Sequence, residues 1–210
     1  MPGIYASIVV PGTILLPVTI AIIRQGYREG PGKMIFIYLL LAGFFNILAA
    51  VLAARSINNL PFLHLYTVLE FGIITAFFYT ASSTLQEKKL IRWLWILFPV
   101  LALLNILHLN SIYLYNLIPR SVEALIVLIL CIHFLMKSLS FSAAPVPFFN
   151  FAIVVALLLY FSGSLALFAL SDFIIANKTI NRLIWTTHAT FVLIMYLIIA
   201  VAYYKNGKEQ

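Results

Sequence analysis

The stretch Met34–Ala54, MIFIYLLLAGFFNILAAVLAA, decides the fold. It runs for 21 residues without a charge. At about 1.5 Å rise per residue, a helix of that length covers the roughly 30 Å hydrocarbon core of a bilayer. Working outward in both directions, six further stretches have the same character. The predicted spans lie near Ile4–Ile23, Met34–Ala54, Phe62–Ser82, Leu90–Leu109, Leu117–Leu139, Pro147–Leu170 and Ile180–Tyr204. The breaks between them carry turn residues or charge, as in Gly26, Gly30, Pro31 and Gly32, and none is long enough to fold alone. The expectation is an all-α polytopic protein, a seven-helix bundle forming a single transmembrane domain over residues 1–210.

Composition agrees. Hydrophobic residues make up 64% of the chain and charged residues 9%, against about 45–50% and about 25% in soluble domains. So few charges cannot cover a surface facing water. A large soluble catalytic domain, a disordered chain and a nucleic-acid partner are thereby excluded. The net charge of +7 belongs instead to the helix ends. Arg24, Arg28, Lys33, Lys88, Lys89, Arg92, Lys137, Lys205 and Lys208 fall on one side, while Arg55, Arg120, Lys178 and Arg182 fall on the other. The positive-inside rule then predicts an external N-terminus and a cytoplasmic C-terminus. The lone Cys131 lies in an apolar run and reads as a buried, inert thiol.

An ionisable group inside the hydrocarbon costs a few kcal/mol on insertion scales and usually faces the bundle interior, so each is informative. From the helical rise, Glu70 lies roughly 13 Å below the outer end of the third span and His188 roughly 12 Å into the seventh. Arg120 and Glu123 occupy the first two turns of the fifth span, and Asn46 lies roughly 13 Å below Arg55 at the outer end of the second. The inner half offers only His133 and Asn150. This asymmetry predicts a polar pocket in the extracytoplasmic half, lined by His64, Glu70, Arg120, Glu123, Trp185, His188 and Asn46.

Several roles are open to these residues. Arg120 and Glu123, three apart, either pair along one helix or present a guanidinium fork to an anionic ligand. Glu70 has no basic residue on its own helix, so it either pairs across helices or carries a proton. His64, Glu70, Glu123 and His188 offer two nitrogens and two carboxylates, which makes a divalent-metal site a second reading. No spacing such as HxxxH forces those four together, so no cofactor is predicted. A serine nucleophile, Ser162 or Ser164 with His188, has no supporting local motif. Ser162 and Ala166, four apart, predict a close helix–helix approach, either inside the bundle or between protomers.

Seven spans with an external N-terminus match the topology of rhodopsins, but the seventh span has no central lysine to bind retinal; Lys205 is at its end. The seven-helix ceramidase and progestin-receptor-like superfamily carries HxxxH on its last helix, and here Val192 stands four after His188. The segments HLYTVLEF (His64–Phe71), IPRSVEAL (Ile118–Leu125), YFSGSLALF (Tyr160–Phe168) and IWTTHATF (Ile184–Phe191) resemble a family of small, uncharacterised bacterial seven-helix membrane proteins. The resemblance implies the bacterial cytoplasmic membrane and an association with sensor kinases, hence a separate signalling partner protein. The expected function is ligand binding or sensing, with a small molecule or membrane lipid as ligand. An intramembrane metal-dependent hydrolase is the alternative, and a proton-coupled transporter with Glu70 as its protonation site is the third.

Overall fold

The computed structural model describes residues 4–28, 30–109, 111–139, 145–169 and 178–206. Seven helices are long and apolar enough to cross a membrane. We label them α1 (Tyr5–Ile23), α2 (Gly30–Ala54), α3 (Leu60–Ala81), α4 (Leu85–Leu104), α5 (Leu117–Ser138), α6 (Phe148–Ala169) and α7 (Lys178–Asn206). Among the described residues there is no strand. The predicted spans correspond one to one, with shifted ends. α2 begins at Gly30, before its expected start, because Pro31 suits a first helical turn. α4 begins at Leu85, where the Thr84 hydroxyl accepts the Glu87 amide at 3.4 Å. The charged run Glu87, Lys88 and Lys89, expected as loop, is therefore the first turn of a helix.

α7 packs on α1 and α6, α6 on α5, α5 on α3, α3 on α2, and α2 on the Leu15–Ile23 part of α1. These six helices close into a ring, and α4 packs outside it, mainly on α3. The distribution of polarity is that of a protein dissolved in lipid. Large apolar side chains such as Leu15, Leu85, Ile96 and Met136 are exposed, while Thr67, Glu70, Asn116, Arg120 and Glu123 are buried between α3 and α5.

One end of the ring is closed. The Tyr203 hydroxyl of α7 donates to the Gly32 carbonyl at 2.6 Å. Both neighbouring glycines are needed there: a Cβ on Gly26 would stand 2.6 Å from the Tyr203 ring, and one on Gly32 would stand 2.3 Å from the Gly26 carbonyl oxygen. Along α6, the close approach to α7 occurs at Gly163, where an added Cβ would meet the Phe191 ring at 2.5 Å. Inside the bundle the close approach is therefore at Gly163 and not at Ser162, which is exposed and returns its hydroxyl to the Leu159 carbonyl of its own helix. The side chain of Ala166 lies outside the described residues.

The other end is loosened by α1, which is interrupted. Pro11 and Pro17 have no amide hydrogen to give to the preceding turn. The first turns, Tyr5–Val9, are π-helical, and a turn at Thr13 and Ile14 precedes Leu15–Ile23. α1 touches α2 at Ile14, whose Cδ1 would lie 3.8 Å from a Cβ on Gly43. Beyond that point the two helices face a common space.

Candidate functional site

That space is a cavity of about 880 Å³ at the end of the ring holding the N-terminus of α1. α1 contributes Val10 and Pro11, α2 contributes Tyr38 and Asn46, α3 contributes Tyr66, α5 contributes Arg120, and α6 contributes Tyr160. α7 supplies the longest wall, with Trp185, His188, Val192 and Tyr196 on one stripe. The lining is mostly aliphatic and aromatic, with a few polar groups among the rings. A ligand site of drug-like size has this composition and this range of volume.

The polar groups at the base of the cavity are organised by one guanidinium. Nη1 of Arg120 donates to Oε2 of Glu70 on α3 and to Oε2 of Glu123 on its own helix, the latter at 2.9 Å. Tyr66 donates its hydroxyl to Oε1 of Glu70 at 2.9 Å, and the Arg120 guanidinium lies 5.3 Å from the Tyr66 ring centroid. One turn outward, Asn116 donates Nδ2 to the Thr67 hydroxyl at 2.6 Å, which ties α5 to α3 a second time. Arg120 also donates to the hydroxyl of Tyr115 in the preceding loop. Burial, which outweighs that guanidinium, holds the Tyr115 phenol above its ordinary pKa. Both glutamates are fully buried, whereas Arg120 retains a small exposed edge on the cavity.

The predicted site residues therefore divide. Asn46, Arg120, Trp185 and His188 line the cavity. Glu70 and Glu123 lie behind it, Glu70 reached through Arg120 and Tyr66 and Glu123 through Arg120. His64 points away: its Nε2 meets the Leu114 carbonyl at 3.0 Å, joining α3 to the loop before α5. The expected presentation of Arg120 to an anion is altered by this arrangement, since its Nη1 already serves two carboxylates. The in-helix pair of Arg120 with Glu123 and the cross-helix pair of Arg120 with Glu70 are present together.

The four donors considered for a metal do not converge. Arg120 stands between the two carboxylates, His64 serves a backbone carbonyl, and His188 presents Nδ1 to the Ser164 hydroxyl at 3.3 Å. Among the described residues no group of three or more His, Cys, Asp or Glu side chains gathers for a metal ion. Ser164 does meet His188, as a nucleophile–base pair would require, but Ser164 is fully buried and does not line the cavity. Its hydroxyl positions the imidazole, which also lies against Tyr160 at 5.6 Å and edge-on to Trp185 at 5.9 Å between ring centroids.

Sequence reasoning missed Tyr38 and Tyr160, which sit in apolar runs. Their signal is a phenol far from the headgroup belt where tyrosine normally sits. Tyr38 reaches the Met195 sulfur at 3.7 Å, and Asn46 hydrogen-bonds Tyr196, so α2 and α7 are joined across the cavity wall. The side chains of Asn181 and Arg182 lie outside the described residues, as does Asp172.

No known protein family, no curated protein and no solved structure matches the chain.

Proposed function

We propose that the protein is a ligand-binding or sensory membrane protein whose cavity receives a small molecule or the head of a membrane amphiphile. The observation that carries this reading is the cavity itself. It is about 880 Å³ in volume, walled by Tyr38, Tyr66, Tyr160, Trp185 and Tyr196, with Arg120, His188 and Asn46 as polar groups among the rings. An apolar bundle has no packing reason to keep such a space. The buried network of Glu70, Arg120, Glu123, Asn116 and Thr67 fixes α3 against α5, so the wall behind the cavity is rigid. α1 meets α2 at Ile14 and Gly43, and above that contact both helices face the cavity. An amphiphile would enter sideways there, its head reaching the polar groups and its tail remaining in lipid.

The distribution of basic residues supports placing the cavity on the extracytoplasmic side: in the sequence, nine fall on the side away from the cavity-end loops and four on the side of those loops. A bound state would be relayed to a separate partner protein through helix movement. The bacterial cytoplasmic membrane is the setting that the sequence resemblance suggests.

The test is what the protein retains. Protein purified in an uncharged detergent is extracted with organic solvent, and the extract is identified by mass spectrometry alongside that of Ala189→Phe. Ala189 is buried and lines the cavity, so this change fills it without touching the ionic network. Wild type is expected to retain a defined amphiphile near one per chain, and the filled variant to lose it. Equal retention by both would place any bound molecule outside the cavity and remove this reading.

A further inference from the structure

The two carboxyl groups behind the cavity are treated differently by their neighbours. Glu70 receives a donor on each oxygen: Tyr66 donates to Oε1 at 2.9 Å, and Arg120 donates Nη1 to Oε2. An ionised carboxylate accepts at both oxygens, and donors on both favour that form. Glu123 receives a donor on one oxygen only. Nη1 of Arg120 reaches its Oε2 at 2.9 Å, while its Oε1 is buried and meets no donor among the described residues. Ionised, Glu123 would hold a charged oxygen away from water with nothing donating to it, which is costly.

The charge count points the same way. One guanidinium and two ionised carboxylates, all buried and in direct contact, would leave one negative charge in the interior of the bundle. Like charges that close disfavour ionisation of both groups, and a proton on one removes the excess. No second cation faces Glu123 to remove it otherwise. α3, α4 and α6 pack against α5. α3 brings Glu70, α6 brings Tyr160 and the preceding loop brings Tyr115 within electrostatic reach. α4 has no ionisable side chain from Trp93 to Leu107. His188 of α7 stands on the cavity side, against Ser164, Tyr160 and Trp185.

We infer that Glu123 is a proton-binding site inside the membrane. It stands as the neutral acid with its proton on Oε1, Glu70 carries the negative charge that pairs with Arg120, and the cluster as a whole is uncharged. Arg120 then meets the cavity as half of a neutral ion pair. Depth in the membrane alone would place such a proton on Glu70; the donors place it on Glu123. The assignment does not depend on what the cavity holds.

The test is infrared absorption of the whole protein at neutral pH in an uncharged detergent. Of the six acidic residues, Glu70 and Glu123 are the ones fully buried among the described residues, so a protonated-carboxyl carbonyl band reports on this pair. Wild type is expected to show that band. Glu123→Asp is expected to shift it, Glu123→Gln to abolish it and Glu70→Asp to leave it in place. Glu123→Gln replaces a neutral acid by a neutral amide, so it is expected to unfold at the wild-type temperature or above, and Glu70→Gln below it. Absence of the band from wild type, a band that shifts with Glu70→Asp and not with Glu123→Asp, or the reverse order of stabilities would overturn the inference. A Glu123→Gln chain that does not fold counts as that reverse order. The band is read separately from amphiphile retention, so the proton site and the ligand reading stand or fall independently.

Discussion

Arg120 on α5 and Glu70 on α3 are paired across two helices, fully inside the bundle, with Glu70 entirely buried. The pair explains why a carboxylate can lie deep in a membrane span at all. It also makes Arg120 the link between the cavity and the two glutamates behind it. Removing Arg120 leaves two buried carboxyl groups without their counter-charge, which costs about 3–5 kcal/mol where such pairs have been broken. Arg120→Gln is therefore expected to destabilise the protein by about that amount. The double variant Arg120→Gln with Glu70→Gln, which leaves a single carboxyl group unmatched, should recover part of the loss. Thermal unfolding of wild type, Arg120→Gln, Glu70→Gln and the double variant in one detergent gives the cycle. An Arg120→Gln variant as stable as wild type would show that the pair contributes nothing.

The approach of α6 to α7 makes a second expectation. The Phe191 ring occupies the place where a Cβ on Gly163 would be. Gly163→Val should lower stability by about 1–3 kcal/mol through overpacking, and Phe191→Ala in the same chain should relieve part of that. Unfolding curves for the single and double variants measure the coupling.

Access to the cavity can be read with a single thiol. Cys131 is fully buried, so Cys131→Ser gives a silent background. Thr186→Cys, at a partly open position of the cavity lining, is expected to react with a membrane-impermeant maleimide added to the outside of sealed, right-side-out vesicles. Labelling only from the inside would reverse the proposed orientation.

At the opposite end, Lys137 of α5 meets Oε1 of Glu87 on α4 at 2.8 Å, partly exposed. Exposed pairs contribute little, about 0–1 kcal/mol. Lys137→Ala should change stability within that range and leave retention of the amphiphile unaltered, measured by the same extraction as wild type. A loss of retention would couple the two ends of the bundle.

Much of this was legible in the sequence, for physical reasons that differ by residue. The spans follow from length and apolarity, because the bilayer imposes both. The pairing of Glu70 was legible as one of two options, since a deep carboxylate without a basic neighbour on its own helix either takes a counter-charge from another helix or carries a proton. Which side of α3 faces the cavity was not legible. His64, Thr67 and Glu70 form one polar arc, and that arc turns toward α5 and the preceding loop, leaving Phe62, Leu63 and Tyr66 to line the cavity. An inward polar face looks the same whether it meets a ligand or another helix. Tyr38 and Tyr160 were hidden because a phenol in an apolar run contributes little to any polarity pattern. The helix ends differed where capping and charge, as at Thr84 and Glu87, let a helix begin outside the hydrocarbon.

The account turns on what occupies the space between α1, α2 and α7. The most direct measurement is a high-resolution density map of the protein in a lipid bilayer disc. The account predicts continuous non-protein density in the cavity, with its head against Tyr66, Tyr160 and His188 and a tail leaving between α1 and α2 above Ile14. A cavity collapsed onto its own side chains, or one holding only separated water-sized peaks, would contradict it.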